Sequence, residues 1–92
     1  MKEFQNNKGF LILEVSRQEM LDKLGQYGCL GICDFCGKPT DKGLYVAVIN
    51  QWMCPDCFFE WYIRAERYKE DIPTEERNYE FYKKTFSDEK QD

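Results

Sequence analysis

The sequence predicts a small single-domain α+β protein, and three observations lead there. Segments with two-residue apolar alternation, the mark of strands, are interleaved with segments whose apolar residues recur at three and four. Two CxxC pairs, Cys33-Asp34-Phe35-Cys36 and Cys54-Pro55-Asp56-Cys57, stand seventeen residues apart, enough for a hairpin that returns the second pair to the first. The chain has 92 residues, room for one modest core that a metal staple would help to complete.

Residues 1–9 are polar and are expected to fray. Phe10 to Val15 is β-rich and mostly apolar, and reads as a strand. Ser16-Arg17-Gln18-Glu19 is a capping box that should start a helix, with Met20, Leu21 and Leu24 on its buried side and a stop at Gly25 or Gly28. Gly28 to Gly31 is then a loop leading into the first cysteine pair. Gly37 to Gly43 is turn chemistry from end to end.

Leu44 to Ile49 follows as a strand, with Leu44, Val46 and Val48 on one face and Tyr45, Ala47 and Ile49 on the other. Both faces are apolar, so both must be covered. Asn50-Gln51 can turn the chain, and Trp52-Met53 form a short return strand that delivers Cys54. Pro55 suits the first turn of a helix, with Asp56 beside the positive end of its dipole. The spacing carries that helix to about Lys69, with Phe58, Trp61, Tyr62, Ala65 and Tyr68 on one face and Phe59 and Ile63 widening it. Asp71-Ile72-Pro73 breaks it, and Thr74 caps a final helix through about Phe86 that carries a stripe of Tyr79, Tyr82 and Phe86. These two helices are expected to lie antiparallel and close the core between them. Residues 87–92 are charged and expected to be flexible.

Composition narrows the function. The formal charge is −4 and the pI about 4.9; with four thiolates and a bound dication it would be about −6. Acids and bases are interleaved, as in Arg64-Ala65-Glu66-Arg67, rather than clustered, which disfavours nucleic acid as a partner. No apolar run reaches membrane-spanning or signal-peptide length, and thiolate cysteines fit a reducing compartment, so the expected location is the cytoplasm, away from any membrane. There is no histidine, no G-x-G-x-x-G and no Walker A sequence, so no enzyme activity is expected. Paired acids such as Glu75-Glu76 read as a solvated helix end.

The two cysteine pairs carry the chemistry. Four thiolates saturate the tetrahedral shell of one structural Zn(2+) per chain and leave no position for water or substrate, so Cys33, Cys36, Cys54 and Cys57 are read as its ligands. Their contexts differ. CDFCGK has the glycine of a zinc knuckle, whereas CPDCF runs straight into a helix. Knuckle, β-hairpin and a helix holding the last two ligands make a treble-clef zinc finger, extended here by an N-terminal strand and helix and a C-terminal helix.

Residues 33–60, with C-x-F-C-G-K at Cys33 to Lys38 and an apolar-C-x-x-C at Met53 to Cys57, resemble the zinc-binding domain at the N-terminus of the ClpX unfoldase. The resemblance implies recognition of protein partners and a homodimer. The cysteine pattern alone also resembles the DksA and TraR type of polymerase regulators. Two other chemistries stay open: CPDC at a helix start is similar to a thioredoxin-type redox site, and the paired motifs to the iron site of rubredoxin. Cys29 reads as a small, partly buried apolar residue beside the site.

Fifteen Phe, Tyr and Trp residues exceed what one small core hides, and Trp52, Trp61 and Phe81 are taken as anchors for a protein partner. The expected function is therefore a structural-zinc adaptor, inhibitor or regulatory protein. A nucleic-acid or RNA-polymerase-associated regulator is the alternative, and a thiol redox protein the second.

Overall fold

The computed structural model describes residues 1–28 and 31–87. Strands β1 (Lys2–Phe4), β2 (Ile12–Ser16), β3 (Lys42–Val46) and β4 (Gln51–Met53) form one antiparallel sheet in that spatial order. Helices α1 (Arg17–Leu24), α2 (Pro55–Arg64) and α3 (Ile72–Phe86) cover it, with single 3₁₀ turns at Gly25–Tyr27 and Lys69–Asp71. The fold is α+β. No helix among the described residues is long and apolar enough to cross a membrane.

Strand alternation divides the interior in two. Phe10, Ile12, Leu44, Val46 and Met53 form one face of the sheet and pack under α2 through Phe58, with Trp61 and Tyr62 against them. Leu13, Val15, Tyr45, Ala47 and Trp52 form the other, under Phe86, with Met20, Leu24, Tyr79 and Tyr82 completing it. The expected packing of α2 on α3 is thus corrected: they cover opposite faces of the sheet. A sheet that is apolar on both faces needs a cover on each, and two helices can supply that only by separating.

Local signals set several boundaries as expected. Ser16 caps α1: its hydroxyl accepts from the Glu19 N–H at 3.1 Å, and the Glu19 carboxylate accepts from the Ser16 N–H at 2.9 Å. The helix stops at Gly25, and Met20, Leu21 and Leu24 are half-buried.

Other boundaries move for tertiary reasons. Residues 1–9 were expected to fray, yet they include β1, which lies on the free edge of β2 with Phe4 opposite Ile12. Asn6 organises the following turn, accepting from the Lys8 and Phe10 N–H groups and donating to the Phe10 carbonyl at 2.8 Å. β3 ends at Val46 rather than Ile49, because the chain turns through Asn50, a residue tolerant of its φ of 55°. α2 ends at Arg64, not Lys69. Ala65 is extended with its N–H on the Tyr62 carbonyl, and the Lys8 ammonium bonds the Tyr62 and Ala65 carbonyls and covers the Tyr62 ring. α3 begins at Ile72, two residues before Thr74, with Pro73 in its first turn.

Glu75 is the largest departure. Read as part of a solvated helix end, it is fully buried. Its Oε2 accepts from the Leu11 N–H at 2.8 Å and its Oε1 from Arg67 Nη2 at 2.9 Å. One turn later, Asn78 Nδ2 donates to the Ala47 carbonyl at 3.0 Å, and Ala47 N–H donates to the Leu11 carbonyl. α3 therefore docks on the end of the β2–β3 ladder through its polar groups.

Gly43 shows how closely the second core is packed. A Cβ there would lie 2.3 Å from Cε2 of the Trp52 ring, which β4 holds in place. Gly43→Ala is expected to cost about 1–3 kcal/mol by overpacking, measured by urea denaturation; a midpoint unchanged from the parent would show that the ring can move aside.

Candidate metal centre

The first cysteine pair sits on a turn bounded by the Ile32–Pro39 bridge, and the second on the start of α2. The knuckle turn follows from its glycine. Gly37 adopts φ 76°, its N–H donates to the Cys33 carbonyl at 3.0 Å, and the Cys33 N–H donates to the Lys38 carbonyl at 2.9 Å. That curvature aims the Phe35 and Cys36 N–H groups at Cys33 Sγ, at 3.3 and 3.5 Å. Cys54 is the N-cap of α2 and Cys57 lies in its first turn, which closes with the Phe58 N–H on the Cys54 carbonyl at 2.9 Å.

The two pairs meet through β4. The Asp34 N–H donates to the Trp52 carbonyl at 2.9 Å, and Asp34 Oδ2 accepts from the Trp52 N–H at 2.9 Å. This two-way bridge fixes the knuckle beside the strand that delivers Cys54. Asp34 had no mark in the sequence except its place inside the CxxC, and its role depends on a strand eighteen residues away.

The four sulfurs lie within 4.8 Å of one another, and Cys36 Sγ is 3.9 Å from Cys54 Sγ. A zinc–sulfur tetrahedron with bonds of about 2.3 Å has edges of about 3.8 Å, so the cysteines are positioned to bind one metal ion. Four soft donors with no carboxylate or imidazole among them suit zinc.

Cys33 is 1% exposed and belongs to the core under α2, whereas Cys36 is exposed and Cys54 and Cys57 are half-buried. Burial raises the Cys33 thiol, but N–H groups of Cys36, Cys54 and Phe35 outweigh it and bring it down to about 6. Loss of solvation and the neighbouring sulfurs of Cys54, Cys33 and Cys36 push Cys57 the other way, far above the usual thiol range. Without a cation Cys57 keeps its proton beside the other sulfurs, because thiolates this close repel. A dication removes that conflict.

Fold and site define a small α+β protein with a four-cysteine metal-binding cluster. No family model, no curated protein and no solved structure matches the chain.

The three expected partner anchors separate. Trp52 is 3% exposed and its Nε1–H donates to the Val15 carbonyl at 3.0 Å, which makes it a core residue and corrects its placement on the surface. Trp61 is half-buried against Phe10 and Phe58. Phe81 is 61% exposed. The sequence could not separate them, since a tryptophan on a two-residue strand has no pattern to assign its face. Cys29 lies outside the described residues.

Proposed function

We propose that this chain is a protein-binding module in which a structural zinc ion fixes a hairpin and a helix that present an apolar surface to a partner. The order of knuckle, β3–β4 hairpin and α2 supports a treble-clef reading, and so does the local likeness to the ClpX-type domain. The observation that carries the proposal lies on α2. Phe59 and Ile63, one turn apart and close behind the ligand Cys57, are 55% and 78% exposed, while Phe58 beside them is buried. Large apolar side chains held on a rigid helix next to a metal staple are costly to leave in water and suit an interface. The acidic charge and interleaved bases favour a protein over a phosphate backbone. An adaptor, inhibitor or regulatory role in the cytoplasm, without catalysis, follows from this reading.

The test combines metal content with partner capture. Native mass spectrometry should find one zinc per chain in the parent and in Phe59→Glu and Ile63→Glu, whose side chains project into solvent. Each substitution should reduce recovery of cross-linked partner from cells about tenfold or more, the loss expected for a hot-spot residue. Recovery unchanged by both would remove α2 from the interface. Recovery that collapses as salt rises from about 50 to 200 mM would instead point to nucleic acid.

A further inference from the structure

The four sulfurs are chemically similar but are not equally placed, and the difference assigns them unequal reactivity. Cys33 is enclosed by the core and takes the N–H groups of Phe35 and Cys36 on its sulfur, which hold electron density away from an attacking electrophile. Cys54, the N-cap of α2, and Cys57, in its first turn, are half-buried against the core under that helix. Cys36 is exposed, at the tip of the knuckle, with Phe35 and Gly37 on either side also open to solvent. Its sulfur is 3.9 Å from that of Cys54, across the gap between the two ligand pairs.

We propose that Cys36 is a modification site, the thiolate of the four that peroxides and soft electrophiles reach first, and that its oxidation joins it to Cys54. This rests on the quartet being a zinc site, as proposed above. The chemistry balances with hydrogen peroxide as the oxidant. The Cys36 thiolate attacks one peroxide oxygen, the O–O bond breaks, and hydroxide leaves; Cys36 becomes a sulfenic acid. The Cys54 thiolate attacks that sulfur, the S–S bond forms, and a second hydroxide departs. Two thiolates each give up one electron, the peroxide takes both, and two protons from solvent convert the hydroxides to water. The site is left with two of its four thiolates and loses its grip on the ion. The new bond would run from knuckle to helix, so the hairpin stays closed while its metal is lost.

Zinc content of the untreated protein, measured first by native mass spectrometry, separates the two proposals: a metal-free folded chain overturns the zinc reading itself. With zinc present, limiting iodoacetamide followed by peptide mapping should place the first adduct within the quartet on Cys36, about tenfold or more ahead of Cys33. Hydrogen peroxide should release zinc to a chromophoric chelator in step with a Cys36–Cys54 linked peptide and a chain mass two hydrogens below the reduced form. Cys36→Ser, where it retains zinc, should lose the fast phase of release. Where it does not, the labelling order of the parent decides. First adducts on Cys33 or Cys57, an even spread, or a Cys33–Cys36 link would overturn the assignment.

Discussion

Chelation of the proposed zinc is expected to lower the thermal midpoint of this protein by about 15–30 °C, more than any single substitution away from the site. An ion present at a thousand times its dissociation constant stabilises the native state by about 4 kcal/mol, and each kcal/mol is worth about 4–8 °C in a domain of this size. The structure says where that energy acts. Cys33 belongs to the core under α2, and the Asp34–Trp52 bridge fastens the knuckle to β4. Loosening the quartet therefore removes support from the sheet's β4 edge and from the first turn of α2.

Cys33→Ser should have the same effect without a chelator, because a hydroxyl is a poor zinc ligand and would be left buried among apolar side chains. Cys36→Ser should be milder in the fold, since that side chain is exposed. Loading should fall as pH is lowered, because protons compete for the thiolates the ion requires. Differential scanning calorimetry with and without chelator measures the shift. A chelated protein melting within a few degrees of the loaded one would mean that the two cores hold the fold alone and the cluster is not a structural metal site.

The four-cysteine cluster was legible because the identity and spacing of each pair are local: a CxxC turn needs only its own four residues to aim two sulfurs together. The same holds for the Ser16–Glu19 capping box and for the alternation from Leu44 to Ala47, whose residues divide between the two cores as their parity requires. The stripe of Tyr79, Tyr82 and Phe86 also packs as the spacing indicated. What failed was anything whose partner lies far along the chain. β1 is a strand only because β2 offers it an edge. α2 stops where Lys8, fifty-four residues upstream of Tyr62, reaches its last carbonyls. Trp52 looked like an anchor because nothing near it in sequence announces the Val15 carbonyl that accepts from its indole. A charge pattern is silent about burial for the same reason, and Glu75 shows it most clearly.

Glu75→Ala is expected to destabilise the fold by about 3 kcal/mol, and Arg67→Ala by about 2, the smaller figure because the arginine is partly exposed and water can replace it. Removing the carboxylate orphans the Leu11 N–H, opens a cavity under α3 and leaves Asn78 as the remaining polar tie from that helix to the end of the β2–β3 ladder. Removing the arginine leaves a buried anion with the Leu11 N–H as its remaining hydrogen bond. Glu75→Gln should be milder than Glu75→Ala, since an amide oxygen can still accept from Leu11.

The double variant Arg67→Met, Glu75→Leu separates the pair's attraction from the penalty of leaving one partner alone. Neither side chain then carries an unmatched charge, so the double should be distinctly more stable than the two single losses added together. Its cost should fall toward that of one unpaired backbone N–H, about 1–3 kcal/mol. Urea denaturation of the parent, Arg67→Met, Glu75→Leu and the double closes the cycle. Strict additivity would mean that Glu75 and Arg67 act independently, and the buried carboxylate would then owe its place to the Leu11 backbone alone.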